Sequence, residues 1–182
     1  MKCTMKGILW VLLLGGCLNV GYGQSIYTQS FTNIDGGTVA LSGYQGKKIL
    51  FVIAPMLGDT LKVNDLAAFW AKYPDSVKLV GIMSTEEGYA DSNKAAIKSM
   101  YQSRGITIVL TGGMYTKKAA GNNQGGIMKW LTDKTVNKRY DTDASETGQL
   151  FFVNEAGKLF SVLIPETSLL SSSVQRNIER KL

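Results

Sequence analysis

Between residues 50 and 61 the sequence reads LFVIAPMLGDTL. An apolar run ends there in a short elbow, and an amphipathic stretch follows. Such a junction can hold a reactive side chain at the end of a strand. A nucleophile placed there would be a thiol or hydroxyl, activated by a neighbouring base or by a lowered pKa. The elbow offers Pro55, Met56, Leu57, Gly58 and Asp59, with no thiol and no imidazole. The whole sequence lacks histidine, and its two cysteines, Cys3 and Cys17, lie within the first 17 residues. From residue 18 onward this removes thiol redox chemistry, disulfides, the usual zinc sites and imidazole-based triads together.

Carboxylates are the remaining candidates. Asp59, Glu86, Glu87 and Asp91 are spaced to gather near strand ends, where paired acids could bind a cation or exchange protons. The plainer reading, solvated loop acids, is favoured. DTDASE, Asp141 to Glu146, superficially follows a calcium loop but lacks its central glycine and its terminal glutamate at the loop spacing. GYQGKK has the wrong spacing for a phosphate loop and precedes a strand, so Gly43 and Gly46 shape a turn. Met56, Met83, Met100 and Met128 could line an adaptable pocket, but core packing is the better reading. Basic residues fall in scattered pairs, Lys47-Lys48, Lys117-Lys118, Lys138-Arg139 and Arg180-Lys181, which read as solvated surface. Nucleic-acid binding would need one dense basic face, so no nucleic-acid partner is expected.

The elements that must position these residues alternate. ILFVIA and SVKLVGIMS are unbroken apolar runs, as in strands covered on both faces, and are expected to be adjacent parallel central strands. A helix is expected over roughly Val63 to Lys72, with Val63, Leu66, Ala67 and Trp70 on its inner face and Pro74 ending it. A second is expected near Asn93 to Ser103, with Ala96, Ile97 and Met100 inward. TVAL and ITIVLTGG read as short strands, YTKKAAGNNQGG as a surface loop and IMKWLTDKTV as helical. LFFVNEAGKLFSVLI reads as a hairpin turning at Asn154 to Gly157, and SSSVQRNIERKL as a capped last helix. The pattern predicts an α/β three-layer sandwich with a central mixed sheet flanked by helices. Ligands in such folds meet the carboxyl ends of the parallel strands, where the elbow lies.

Residues 1–23 read as a leader, with a basic start MKCTMK, an apolar core GILWVLLL and a small-residue end GYG. The domain organisation expected is a signal peptide over 1–23 and one folded domain over 24–182, exported to the periplasm or beyond. Removing the leader takes Lys2 and Lys6 but no acid, so the net charge of +6 becomes +4. A competing reading takes LGGC, Leu14 to Cys17, as a lipobox that would make Cys17 a lipid-bearing first residue. No later segment approaches the ~20 apolar residues that span a bilayer.

These pieces, in this order, resemble the glutathione peroxidase family of the thioredoxin fold. SIYTQSFTNIDGGTVALSGYQGKKILFVIA is similar to that family's opening hairpin, Gly-Lys turn and first central strand. The likeness continues through DLAAFWAKY, VKLVGIMS, AIKSMYQSRGITIVL, IMKWLTDK and LFFVNEAGKLFSVL. The resemblance implies a peroxide-reducing enzyme with a cysteine or selenocysteine at the elbow, but Leu57 occupies that place. The family's supporting Gln falls most nearly at Ala90, and its Trp-Asn pair at Glu146 and Thr147. A degenerate, non-catalytic member is therefore expected, with no cofactor, acting by binding an envelope protein or small ligand. A hydroperoxidase using non-thiol chemistry is the alternative. Leu57 is expected to be shielded by apolar neighbours, since covering a leucine contributes about 1.5–3 kcal/mol.

Overall fold

A computed structural model describes residues 24–181. The leader reading at 1–23, with Cys3 and Cys17, lies outside the described residues. From Gln24 the chain makes a short hairpin of β1 (Ser30–Thr32) and β2 (Thr38–Ala40). The apolar run then forms β3 (Ile49–Ile53), and the elbow leads into α1 (Thr60–Lys72) and β4 (Lys78–Ile82). Next come α2 (Lys94–Gln102), β5 (Val109–Leu110), α3 (Gly126–Thr132) and α4 (Lys134–Asn137). A hairpin of β6 (Leu150–Val153) and β7 (Leu159–Leu163) precedes α5 (Ser172–Glu179).

Five strands make one sheet in the order β5-β4-β3-β6-β7, parallel on the β4 and β5 side and antiparallel on the β6 and β7 side. β3 and β4 are adjacent and parallel, with Ile49 opposite Lys78 and Ile53 opposite Ile82, as their unbroken apolar character predicts. Alternation along the strands serves two layers. Leu50, Val52, Leu79, Leu150 and Phe152 pack with residues of α1, α2 and α5. Ile49, Phe51, Ile53, Val80, Ile82, Phe151 and Val153 face Ile127, Met128, Trp130 and Leu131 of α3. The sheet is thus covered on both faces.

The helix faces depart from the sequence reading in phase. α1 starts at Thr60, because the Val63 amide donates to the Asp59 carbonyl and closes the first turn early. Its fully buried residues are Val63, Leu66 and Phe69, while Ala67 and Trp70 are half-buried. In α2 the buried pair is Ile97 and Tyr101. Ala96, expected inward, is exposed, and Met100 is half-buried. The larger Tyr101 ring fixes the rotation, for its hydroxyl donates to the Pro55 carbonyl at 3.0 Å from a buried position. Met56, Met83 and Met128 are buried in the core, in keeping with the packing reading.

A larger departure concerns Lys48, expected in solvent. It is only 7% exposed, and its ammonium donates to the Ile178 carbonyl at 2.5 Å and to the Arg180 carbonyl. The cation thus caps the carboxyl end of α5, where unpaired carbonyls and the helix dipole favour positive charge.

Candidate functional site

β3 delivers the chain to the elbow already held on both sides. The Ala54 amide donates to the Ile82 carbonyl at 2.9 Å, and the Gly148 amide to the Ile53 carbonyl at 2.8 Å. Beyond Pro55 a tight turn forms. The Met56 amide donates to Asp59 Oδ2 at 3.0 Å, and the Asp59 amide to the Met56 carbonyl at 3.2 Å. Gly58 has φ +96°, open to glycine at little cost. Asp59 thus spends its carboxylate on the turn and makes no side-chain cap to α1.

This geometry corrects the expectation for Leu57. Successive side chains at the turn cannot both enter the core. Met56 takes the inner place at 6% exposure, and Leu57, at the tip, is 46% exposed. Leu61, four residues on, is 85% exposed. The elbow therefore presents two leucines to water rather than a plugged pocket.

Beneath it lies Tyr101. Burial first, and the Asp59 charge second, push its phenol well above the usual tyrosine range, so it stays protonated. Across the elbow stands the segment before β6. Lys62, in the first turn of α1, donates through its ammonium to the Thr147 carbonyl. The Thr147 amide and hydroxyl approach Glu87 Oε2 at 3.4 and 3.5 Å. Of the positions matched to the family site, Thr147 thus comes to the elbow's flank, buried at 6% exposure. Glu146 is exposed. Ala90 is exposed too, and its amide is bonded within its own turn to Asn93 Oδ1 at 3.2 Å.

The four acids do not share a site. Asp59 closes the elbow and Asp91 meets the Tyr89 hydroxyl at 3.5 Å. Glu87 lies 3.6 Å from the Lys117 ammonium. Glu86 accepts from the Thr116 and Lys117 amides and from the Ser84 and Thr116 hydroxyls. Glu86, though exposed as a loop acid, and the half-buried Glu87 also act as structural acceptors. The Asp141 to Glu146 stretch is likewise committed, with Asp143 Oδ1 accepting from the Lys118 amide at 2.8 Å and Asp141 paired to the Lys118 ammonium. Among the described residues no group of three or more metal-ligating side chains gathers. The roles of Glu86 and Lys48 escaped the sequence because their partners lie about 30 and 130 residues away.

A mixed five-stranded sheet with helices on both faces, and an elbow after its first central strand, decides the architecture. The fold is thioredoxin-like. Solved structures agree. Apo Trgpx superposes with a TM-score of 0.63 at 19% identity, covering 85% of this chain and 93% of that one. GPX1 of T. cruzi gives 0.61 at 12% identity, over 85% of this chain and 97% of that one. A DsbF homologue from Corynebacterium diphtheriae gives 0.59 at 15%, over 95% and 99%. No protein-family model matches the sequence, and no curated protein matches it.

The elbow geometry makes a direct prediction. Leu57→Cys is expected to produce a thiol that an aqueous alkylating reagent modifies within minutes in the folded protein, because the position is open to water. The same variant is expected to show no peroxidase turnover above that of a free thiol, since neither Ala90 nor Thr147 carries the side chain that the glutathione peroxidase resemblance implies there. Mass spectrometry of alkylation and a coupled peroxide assay read the two halves separately. Slow alkylation would return Leu57 to a shielded position, and turnover well above a free thiol would mean that supporting groups survive.

Proposed function

We propose that this chain is an exported, glutathione-peroxidase-like protein that has lost the peroxidase reaction and acts by binding a partner or small ligand at its elbow face. The observation that carries the reading is Leu57. It stands where the resemblance implies the nucleophile, and with Leu61 it offers apolar surface at the carboxyl end of β3. No cysteine or histidine occurs from residue 18 onward, so no thiolate or imidazole can replace the missing group.

The proposal includes a leader over 1–23 and one domain over 24–182. In support, Gln24 is tied to the body, its carbonyl accepting from Trp130 Nε1 at 2.6 Å and its amide donating to Val136 O at 3.3 Å. No helix of the described residues is long and apolar enough to cross a membrane. N-terminal mass analysis of the secreted form should find Gln24 first, with no lipid; a lipid on Cys17 would place the protein at a membrane surface instead.

Purified residues 24–182 should consume hydrogen peroxide no faster than buffer with glutathione or thioredoxin as donor. Turnover well above buffer would overturn the loss of activity. Capture of partners from an envelope extract, compared between the native chain and Leu57→Asp/Leu61→Asp, tests the face. A partner retained equally by both would move the binding surface elsewhere.

A further inference from the structure

The segment from Tyr115 to Gly125 leaves the body and returns to it at nearly one point. Tyr115 bridges to Gln124, and the Gly125 amide donates to the Tyr115 carbonyl at 2.9 Å. The excursion between, a 3₁₀ turn over Lys118–Asn123, buries none of its residues. The two apolar clusters flanking the sheet draw nothing from it beyond the partly buried Met114 at its root. Its attachment is polar. Thr116 is inserted, fully buried, against Ser84 just past β4, the two hydroxyls 3.0 Å apart. Over that pair sits the Glu86 carboxylate. It accepts from the Thr116 amide at 2.9 Å and the Lys117 amide at 3.0 Å, and from the hydroxyls of Ser84 at 3.1 Å and Thr116 at 3.2 Å.

We propose that residues 115–125 form a strap latched across the carboxyl end of β4 by Glu86, and that removing this one negative charge releases the strap while the five-stranded sheet stays folded. Two backbone amides and two hydroxyls converge on a single carboxylate, and its negative charge strengthens each of these bonds. A glutamine can still accept both amides through Oε1 and turn its NH2 toward the two hydroxyl oxygens, but it forfeits the charge assistance of every one of these bonds. Segments held by few apolar contacts and a few polar ties open independently of the core. The same loop end is linked onward, because Glu87 lies between the Lys117 ammonium and Thr147 beside the elbow. Release of the strap therefore reaches the elbow's flank.

The charged groups facing the latch are Glu87 and Lys117, with Lys118 held from the far side by Asp141 and Asp143. Desolvation pushes the Glu86 carboxyl up, but the hydrogen bonds from Lys117, Thr116, its own amide and Ser84 together outweigh it and leave it below the usual glutamate range. A depressed folded-state value means that the latch's stabilisation is present in full above the unfolded pKa. It is lost as pH falls through the folded one. The strap is thus closed at neutral pH and opens in acid.

Amide hydrogen exchange followed by NMR on residues 24–182 tests this. In Glu86→Gln at pH 7 the Thr116 and Lys117 amides should exchange at least ten times faster than in the native chain, with trypsin newly cutting after Lys117 or Lys118. The amides of β3 should keep their protection. In the native chain the same two amides should lose protection only once the pH falls below the ordinary glutamate range, before the sheet does. Unchanged protection at Thr116 and Lys117 in the variant would overturn the latch, and simultaneous loss across β3 would overturn the strap's independence.

Discussion

Lys48→Met is expected to lower the unfolding free energy by about 2–3 kcal/mol. The buried ammonium donates to two carbonyls at the carboxyl end of α5, with Glu155 3.9 Å away. Methionine matches the length of the stem and its packing but donates nothing. Each carbonyl left without a donor costs about 1–3 kcal/mol where water cannot reach it, and favourable interaction with the helix dipole is lost as well. Relief of the desolvation that the buried charge now suffers offsets part of that loss. The first consequence should be fraying of α5, which carries Val174 and Ile178 into the core. Urea unfolding at constant slope measures the change, and Lys47→Met, at an exposed neighbour, serves as the reference with an effect within about 0.5 kcal/mol. Equal small effects from both substitutions would mean that α5 is capped by other groups.

Gly148→Ala should cost about 2–4 kcal/mol. Gly148 has φ +97°, and a Cβ built there would lie 2.8 Å from the Pro165 carbonyl oxygen, a backbone atom that cannot swing aside. A left-handed conformation costs an alanine about 1–2 kcal/mol, and the clash adds to it. The position also donates the 2.8 Å hydrogen bond that fastens the segment before β6 to the end of β3. Strain relieved by local displacement should therefore appear at the elbow. A thermal melt reports the total, and chemical-shift changes at Ile53, Thr147 and Lys62 report its location. A fall below 0.5 kcal/mol would mean that the segment shifts freely and does not frame the elbow rigidly.

What could be read from the sequence was the sheet, because its signal is local. Five-residue apolar runs such as Ile49 to Ile53 have no polar face to show, so they must lie between two layers. The hairpin turn was equally plain, the Gly157 amide donating to the Asn154 carbonyl at 2.9 Å. Helix existence was legible but helix rotation was not. A shift of one residue exchanges Ala96 for Tyr101 on the buried face, and the choice is made by the Pro55 carbonyl on another element. Leu57 misled for a related reason. Apolar character argues for burial, but the turn closed by Asp59 and Gly58 has one inward position, and Met56 fills it. Lys48 and Glu86 read as ordinary surface charges, since nothing within ten residues of either announces a distant ring of carbonyls or amides.

The position of β3 also governs the order in which the chain can assemble. Its parallel partner β4 lies about thirty residues downstream, but its antiparallel partner β6 lies about a hundred downstream, with Ile49 opposite Val153. As the chain emerges, about seventy residues separate the end of β4 at Ile82 from the start of β6 at Leu150, so β3 keeps one apolar edge bare after β4 has appeared. Closing so long a loop before any reward from pairing slows this step relative to the local pairing of β3 with β4. The nascent β3-β4 unit is the species most exposed to wrong partners. A chaperone that shields extended apolar segments until residue 153 has been made would raise the yield of native protein, and truncation before β6 should leave an aggregating fragment.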